Sequence, residues 1–135
     1  MAYNLFISHS WTYSDAYEKL CKLLDEYKYF TYKNHSVPKD DPVHTNGTDK
    51  ELEEAIYYKM KGCNIILIMA GVYSTYSKWI KKEIKIANNF STPKPILGIK
   101  PWGQTNVSTI VQENAIAIVG WNSKSIVEAI RKYSI

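Results

Sequence analysis

Arginine is almost missing from this chain. Of its 17 basic residues all but Arg131 are lysines, in a sequence of 135 residues with a formal net charge of +4. Readers of specific nucleic-acid sequence depend on the arginine fork, which pairs bidentately with guanine and phosphate. Scattered lysines with no aromatic-and-arginine signature describe a solvated surface, so no nucleic-acid partner is expected. Long apolar runs are missing too. The longest, Ile65 to Val72, has eight residues, against the ~20 needed to cross a bilayer. No Lys/Arg-led leader opens the sequence either, since Met1-Ala2-Tyr3-Asn4-Leu5-Phe6-Ile7 already reads as a strand. A cytoplasmic protein with no membrane partner is the expectation.

Cysteine is scarce, and neither Cys21 nor Cys63 belongs to a CxxC pair. Both sit in apolar segments, one helical and one strand-like, and read as reduced core residues. The six glycines are not arranged to cradle a phosphate. There is no GxGxxG after the first strand and no GxxxxGK[ST], which excludes a dinucleotide fingerprint and a P-loop. Without GxSxG there is no nucleophile elbow for a serine hydrolase. Ser8, Ser10, Thr12 and Ser14 offer hydroxyls to a flavin phosphate, but no glycine lets that loop wrap one. His9, His35 and His44 share no helix face, and Asp40-Asp41-Pro42-Val43-His44 lacks ligand spacing. They read as turn and surface residues, and no metal is expected.

What is present is an alternation of strand and helix patterns. Hydrophobic residues make up 45% and charged ones 22%, a globular composition of a length that supports one domain over residues 1–135. Tyr3–Ser8 is a short buried strand. Between Ser14 and Tyr27, Tyr17, Leu20, Cys21, Leu24 and Tyr27 recur at helical spacing. Tyr29–Tyr32 returns to β-formers, and a turn-rich loop follows from Ser36 to Gly47. Thr48-Asp49-Lys50-Glu51 fits a capping box opening a helix that Gly62 ends. Asn64–Met69 is apolar on both faces, as a central parallel strand is. A helix over Tyr73–Phe90, a strand over Pro95–Ile99, a short helix near Val107–Val111, a strand over Ala115–Val119 and a helix over Ser123–Tyr133 complete the pattern. Such alternation predicts an α/β, flavodoxin-like three-layer domain: a five-stranded parallel sheet, order 2-1-3-4-5, with helices on both faces. Ligands of such sheets bind beyond the carboxyl ends of strands 1 and 3, which points to Ser8–Ser14 and Ala70–Ser77. A response regulator would need acidic residues where this chain has Ser8-His9-Ser10 and Met69-Ala70.

One residue breaks the pattern of the Tyr73–Phe90 helix. At about 100° per residue from Trp79, Phe90, Ile86, Ala87, Ile80 and Ile84 form an apolar arc from about 340° to about 140°. Lys78, Lys81, Lys82 and Lys85 occupy the opposite face. Glu83 falls near 40°, inside the apolar arc. A buried carboxylate must be paired, protonated or placed at a cleft. A structural Glu83, bonded to backbone N–H groups or to a lysine, is the alternative to a functional one.

Tyr3-Asn4-Leu5-Phe6-Ile7-Ser8-His9-Ser10, with Asp15 downstream, resembles the opening strand of TIR domains, usually (Y/F)DxFISYS. Ser77-Lys78-Trp79-Ile80-Lys81-Lys82-Glu83 is similar to the TIR segment SxWCxxE. Thr75-Tyr76-Ser77-Lys78-Trp79 and the compact length resemble the bacterial TIR-like branch that includes the ThsB subunit of Thoeris antiphage systems. The resemblance extends over essentially the whole chain. It implies a flavodoxin-like enzyme that breaks the nicotinamide–ribose bond of NAD+, as substrate with no further cofactor, and makes ADP-ribose or a cyclic isomer that signals to a separate effector protein. Self-association for activity is implied as well. Glu83 would be the catalytic carboxylate, with Ser8, His9, Ser10, Trp11, Tyr76 and Trp79 around the substrate. Asn4, His9 and Ile80 depart from the usual Asp, Tyr and Cys, and the Ser36–Gly47 loop, in place of the family's BB loop, does not copy its sequence. Two rivals keep the fold: a non-enzymatic adaptor module in which Glu83 is structural, and an enzyme resembling nucleoside deoxyribosyltransferases.

Overall fold

Short β-rich runs and amphipathic helical runs take the places their periods predict. In the computed structural model, which describes residues 2–8, 16–36, 48–71, 78–102 and 106–135, the elements run β1 (Ala2–Ile7), α1 (Ala16–Glu26), β2 (Thr31–Asn34), α2 (Asp49–Lys61), β3 (Ile65–Met69), α3 (Lys78–Asn88), β4 (Ile96–Ile99), α4 (Thr109–Asn114), β5 (Ala117–Val119) and α5 (Ser123–Tyr133). The five strands form one sheet in the order β2-β1-β3-β4-β5. Every neighbouring pair is parallel, with Leu5 beside Ile65 and Met69 beside Ile99. This is the flavodoxin-like α/β arrangement the sequence implies.

A strand shows alternate residues to opposite faces, so the sheet builds two core layers. Leu5, Ile7, Leu67 and Ile99 meet Leu20 and Leu24 of α1 and Ile126, Val127 and Ile130 of α5. Phe6, Ile66 and Ile68 meet Leu52, Ile56 and Met60 of α2, Ile80, Ile84 and Ala87 of α3, and Val111 of α4. Each such aliphatic side chain contributes about 1.5–3 kcal/mol on burial. β3 is buried along its whole length, as its unbroken apolar run requires. Gly98 lets α4 lie close to β4: a Cβ there would sit 3.0 Å from Val111 Cγ1 and 3.1 Å from Ile118 Cγ1.

Element ends follow local chemistry. Thr48 Oγ1 accepts from Glu51 N–H, and the Glu51 carboxylate accepts from Thr48 N–H, so the capping box that opens α2 is complete. Asn122 Oδ1 accepts from Ser125 N–H and opens α5. Other ends differ from the sequence pattern. β2 begins at Thr31, because Tyr29 has φ of 63°, in the left-handed region, and cannot continue a strand. α4 runs over Thr109–Asn114, later than the Val107–Val111 pattern, and Ala115 closes it with its N–H on Val111 O. That delays β5 to Ala117. α3 ends at Asn88, two residues before Phe90. Its beginning before Lys78, the first residues of the Ser14–Tyr27 helix and the stretch 37–47 lie outside the described residues. Cys21 is half-buried on α1 and Cys63 is buried in the link before β3, not within a strand; both are free thiols. Burial pushes the Cys63 thiol up to about 11. Among the described residues, no helix is long and apolar enough to cross a membrane.

Candidate active site

Phe6 and Ser8 share a face of β1 by the two-residue period, so Ser8 extends the layer that faces α2 and α3. Ser8 remains tied to the sheet past the end of β1, its N–H donating to Leu67 O at 3.0 Å. It is fully buried. On α3 the buried residues are Ile80, Glu83, Ile84 and Ala87, three aliphatic groups and one carboxylic acid. Glu83 is 4% exposed, and Ser8 Oγ donates to its Oε1 at 2.6 Å. That length belongs to the short, strong class of hydroxyl–carboxylate bonds. Two polar groups thus meet in an otherwise aliphatic layer, at the carboxyl end of β1 beside β3. In this strand order that is the reversal point where open parallel sheets bind ligands.

Burial dominates the electrostatics. It disfavours the carboxylate and raises Glu83 from an ordinary 4.5 to about 8, with the Ser8 hydrogen bond pulling the other way. Burial therefore favours the neutral form of Glu83. A carboxyl with that property in a predicted binding crevice is suited to acid–base work or to stabilising a developing positive charge.

The sheet-facing arc of α3 is narrower than the apolar arc of its sequence. Trp79, Ile86 and Phe90 are only partly buried. Part of that side meets α2 rather than the sheet: Phe90 stacks on Tyr57 with ring centroids 5.0 Å apart. Glu83 accordingly stands at the border between the sheet-facing and α2-facing sides rather than at the centre of the buried arc. The lysine face is divided as well. Lys78, Lys81 and Lys85 are exposed, whereas Lys82 turns to α2, its Nζ 2.8 Å from Glu53 Oε1.

Of the residues singled out from the sequence, Ser8 and Glu83 are in direct contact, and Trp79 lies one turn before Glu83 on α3. His9, Ser10, Trp11 and Tyr76 lie outside the described residues. The Ser8–Glu83 pairing itself was missed by the sequence reading. The signal for it was available: a hydroxyl on the apolar face of β1 and an acid on the apolar face of a helix that covers it. Among the described residues the partner of Glu83 is Ser8, rather than a backbone N–H group or a lysine. His35 belongs to another contact, its Nε2 2.9 Å from Asn4 Oδ1. Further along the carboxyl edge, Trp102 after β4 packs on Trp121 after β5, centroids 5.0 Å apart, with Lys19 Nζ 4.2 Å from the Trp102 ring. The family model of the TIR-like domain of the Thoeris protein ThsB matches residues 6–106. That stretch includes Ser8, Trp79 and Glu83. No curated protein matches the chain.

Proposed function

The chain belongs to the TIR-like domain family of the Thoeris protein ThsB, and from that premise we propose that it acts in antiphage defence as an NAD+-cleaving enzyme. The observation that carries this reading is the buried Glu83 carboxyl bonded to Ser8 at the reversal point of the sheet. NAD+ would lie with its nicotinamide ribose over the carboxyl ends of β1 and β3. The positive nicotinamide ring lowers the pKa of Glu83 by Coulomb attraction, so binding favours loss of the proton that burial retains. The carboxylate then faces the ribose. As the bond from C1′ to the ring nitrogen breaks, its electron pair leaves with neutral nicotinamide, which needs no protonation. The positive charge left on C1′ and the ring oxygen is stabilised by Glu83, as a carboxylate stabilises an oxocarbenium-like centre in glycosidases. Water, or a nucleophilic group of the same substrate, bonds to C1′ and gives up its proton to the Glu83 carboxylate or to solvent. The second course yields a cyclic isomer of ADP-ribose, a small molecule able to signal to a separate effector protein.

Ser8 holds the carboxyl in place, and Trp79 walls the pocket one turn before it. His9, Ser10, Trp11 and Tyr76 contribute contacts to ribose, phosphate or nicotinamide in this proposal, and self-association completes the active form. The test is mass spectrometry of small molecules from cells expressing the wild type or Glu83→Gln, with and without phage challenge. A species of ADP-ribose mass that appears with the wild type and vanishes with Glu83→Gln is the expected result. Unchanged NAD+ and no new species, with both proteins folded, would reject it. The near-complete burial of Glu83 favours one rival, an adaptor module in which the Ser8–Glu83 bond is structural. Under that reading Glu83→Gln leaves partner binding intact and no product is ever made.

A further inference from the structure

Lys82 has a different place from the other lysines of α3. Its side chain is 15% exposed, against 68% for Lys78. Its Nζ lies 2.8 Å from Glu53 Oε1 and 3.8 Å from Asp49 Oδ2, while Lys78 Nζ lies 3.1 Å from Asp49 Oδ1. Glu53 strengthens the hold of Lys82 on its proton, and Lys82 keeps the Glu53 carboxyl below its usual range. An ion pair whose carboxylate is half-exposed adds little stability. A lysine whose stem lies between two helices and whose head meets two carboxylates fixes a direction instead. Those carboxylates are well placed to do so, in the first two turns of α2, behind the completed Thr48–Glu51 capping box.

Lys82 and Glu83 are consecutive, so their side chains leave α3 about 100° apart. One is held by α2 and the other reaches β1 through Ser8. Added to the packing of Ile80, Ile84 and Ala87, two anchors at that angle restrict the roll of the helix about its own axis more than either does alone. A glutamate carboxylate stands on the order of 6 Å from the helix axis, so a roll of about 10° moves it about 1 Å. A displacement of that size costs on the order of a hundredfold where chemistry depends on position.

We propose that Lys82 is a positioning residue for Glu83: its bridge to Glu53 and Asp49 sets the roll of α3 that delivers the carboxyl to Ser8. The effect on turnover rests on the NAD+-cleaving reading above; the effect on Glu83 itself does not.

The experiment labels the full chain with ¹³Cδ-glutamate and follows the eight glutamates through a pH titration. Glu83 is assigned by its absence from the spectrum of Glu83→Gln. Wild type, Lys82→Met, Lys82→Arg and Lys81→Met are compared. Removing a cation raises a nearby carboxyl by Coulomb's law, whereas loosening α3 admits water and lowers it, so the sign of the change separates charge from position. The expected result is a Glu83 midpoint that falls in Lys82→Met toward the ordinary carboxylate range, returns in Lys82→Arg and is unmoved in Lys81→Met. Turnover of NAD+ by Lys82→Met should drop about tenfold or more in kcat with KM changed less than about twofold. A Glu83 midpoint in Lys82→Met that stays or rises overturns the proposal. Should Lys82→Met fail to fold, Glu53→Gln removes the same bridge from the exposed side and is read by the same outcomes. A wild type that turns over no NAD+ in any condition defeats the functional reading, and the titration still decides the positioning role.

Discussion

Glu83 keeps its proton up to about pH 8 in the folded chain and to about 4.5 when exposed. Between those values the folded state holds more protons than the unfolded one, so stability falls as pH rises. The contribution of neutral Glu83 is complete below about pH 4.5 and is lost by the time pH has climbed past about 8. Glu83→Gln keeps the shape and cannot ionise. Urea unfolding at about pH 5 and about pH 8.5 should therefore show the wild type losing more stability than Glu83→Gln over this interval. Equal losses would mean that Glu83 is hydrated in the folded chain. Ser8→Ala removes a hydrogen bond that favours the charged form, so the Glu83 midpoint should move further up. Its stability cost, about 1–3 kcal/mol, should be largest above pH 8, where a buried carboxylate is left without its donor. If the chain cleaves NAD+ as proposed and the working form is the carboxylate, kcat/KM rises with pH and levels off above about 8, the value for the free protein.

Among the elements, α2 has the clearest determinant of its start. Thr48 Oγ1 accepts from Glu51 N–H at 3.1 Å, and Thr48→Ala should cost about 0.5–2 kcal/mol in urea unfolding. A loss near zero would mean that Glu51 or solvent replaces the cap. The capping box is legible in the sequence, as is the all-buried β3, because each depends on residues close in sequence. Strand order followed from the alternation of helix and strand with equal directness. Boundaries set by tertiary contact were not legible. Nothing in the β-forming run at Tyr29–Tyr32 announces that Tyr29 takes a left-handed φ and that Arg131, from the far end of the chain, holds its carbonyl at 2.8 Å. The acid of α3 was visible because a helical period exposes any residue that breaks it. Its serine partner gives a fainter signal, a hydroxyl on the apolar face of β1, because nothing local links two residues that are 75 apart in sequence. Lys82 is not distinguished in sequence from Lys78, Lys81 and Lys85 for the same reason: a helical wheel separates faces but not which neighbour covers their margins.

Across the whole molecule the two ends of the sheet are stabilised differently. At the carboxyl end, Ser8 and Glu83 form the candidate site. At the amino end, Asn64 joins three distant parts of the chain. Its Oδ1 accepts from Asn4 N–H at 2.8 Å, its Nδ2 donates to Ile135 O at 2.8 Å, and its own N–H and C=O bond Asn4 O at 2.7 Å and Ile135 N–H at 3.1 Å. The side chain thus connects β1, the start of β3 and Ile135, two residues past the end of α5. Asn64→Ala removes both side-chain bonds and leaves the partly buried Asn4 N–H without an acceptor, which should cost about 1–3 kcal/mol in urea unfolding at an unchanged m-value. Asn64→Asp keeps the acceptor for Asn4 and loses the donor to Ile135, so its cost should be smaller. Four residues of strand, at about 3.3 Å each, separate Asn4 from Ser8 along β1. Glu83 should therefore titrate at its wild-type value in both variants. A midpoint that moved with Asn64 would show that the two ends are coupled through β1, and an Asn64→Ala as stable as the wild type would show that the amino end is held by the sheet alone.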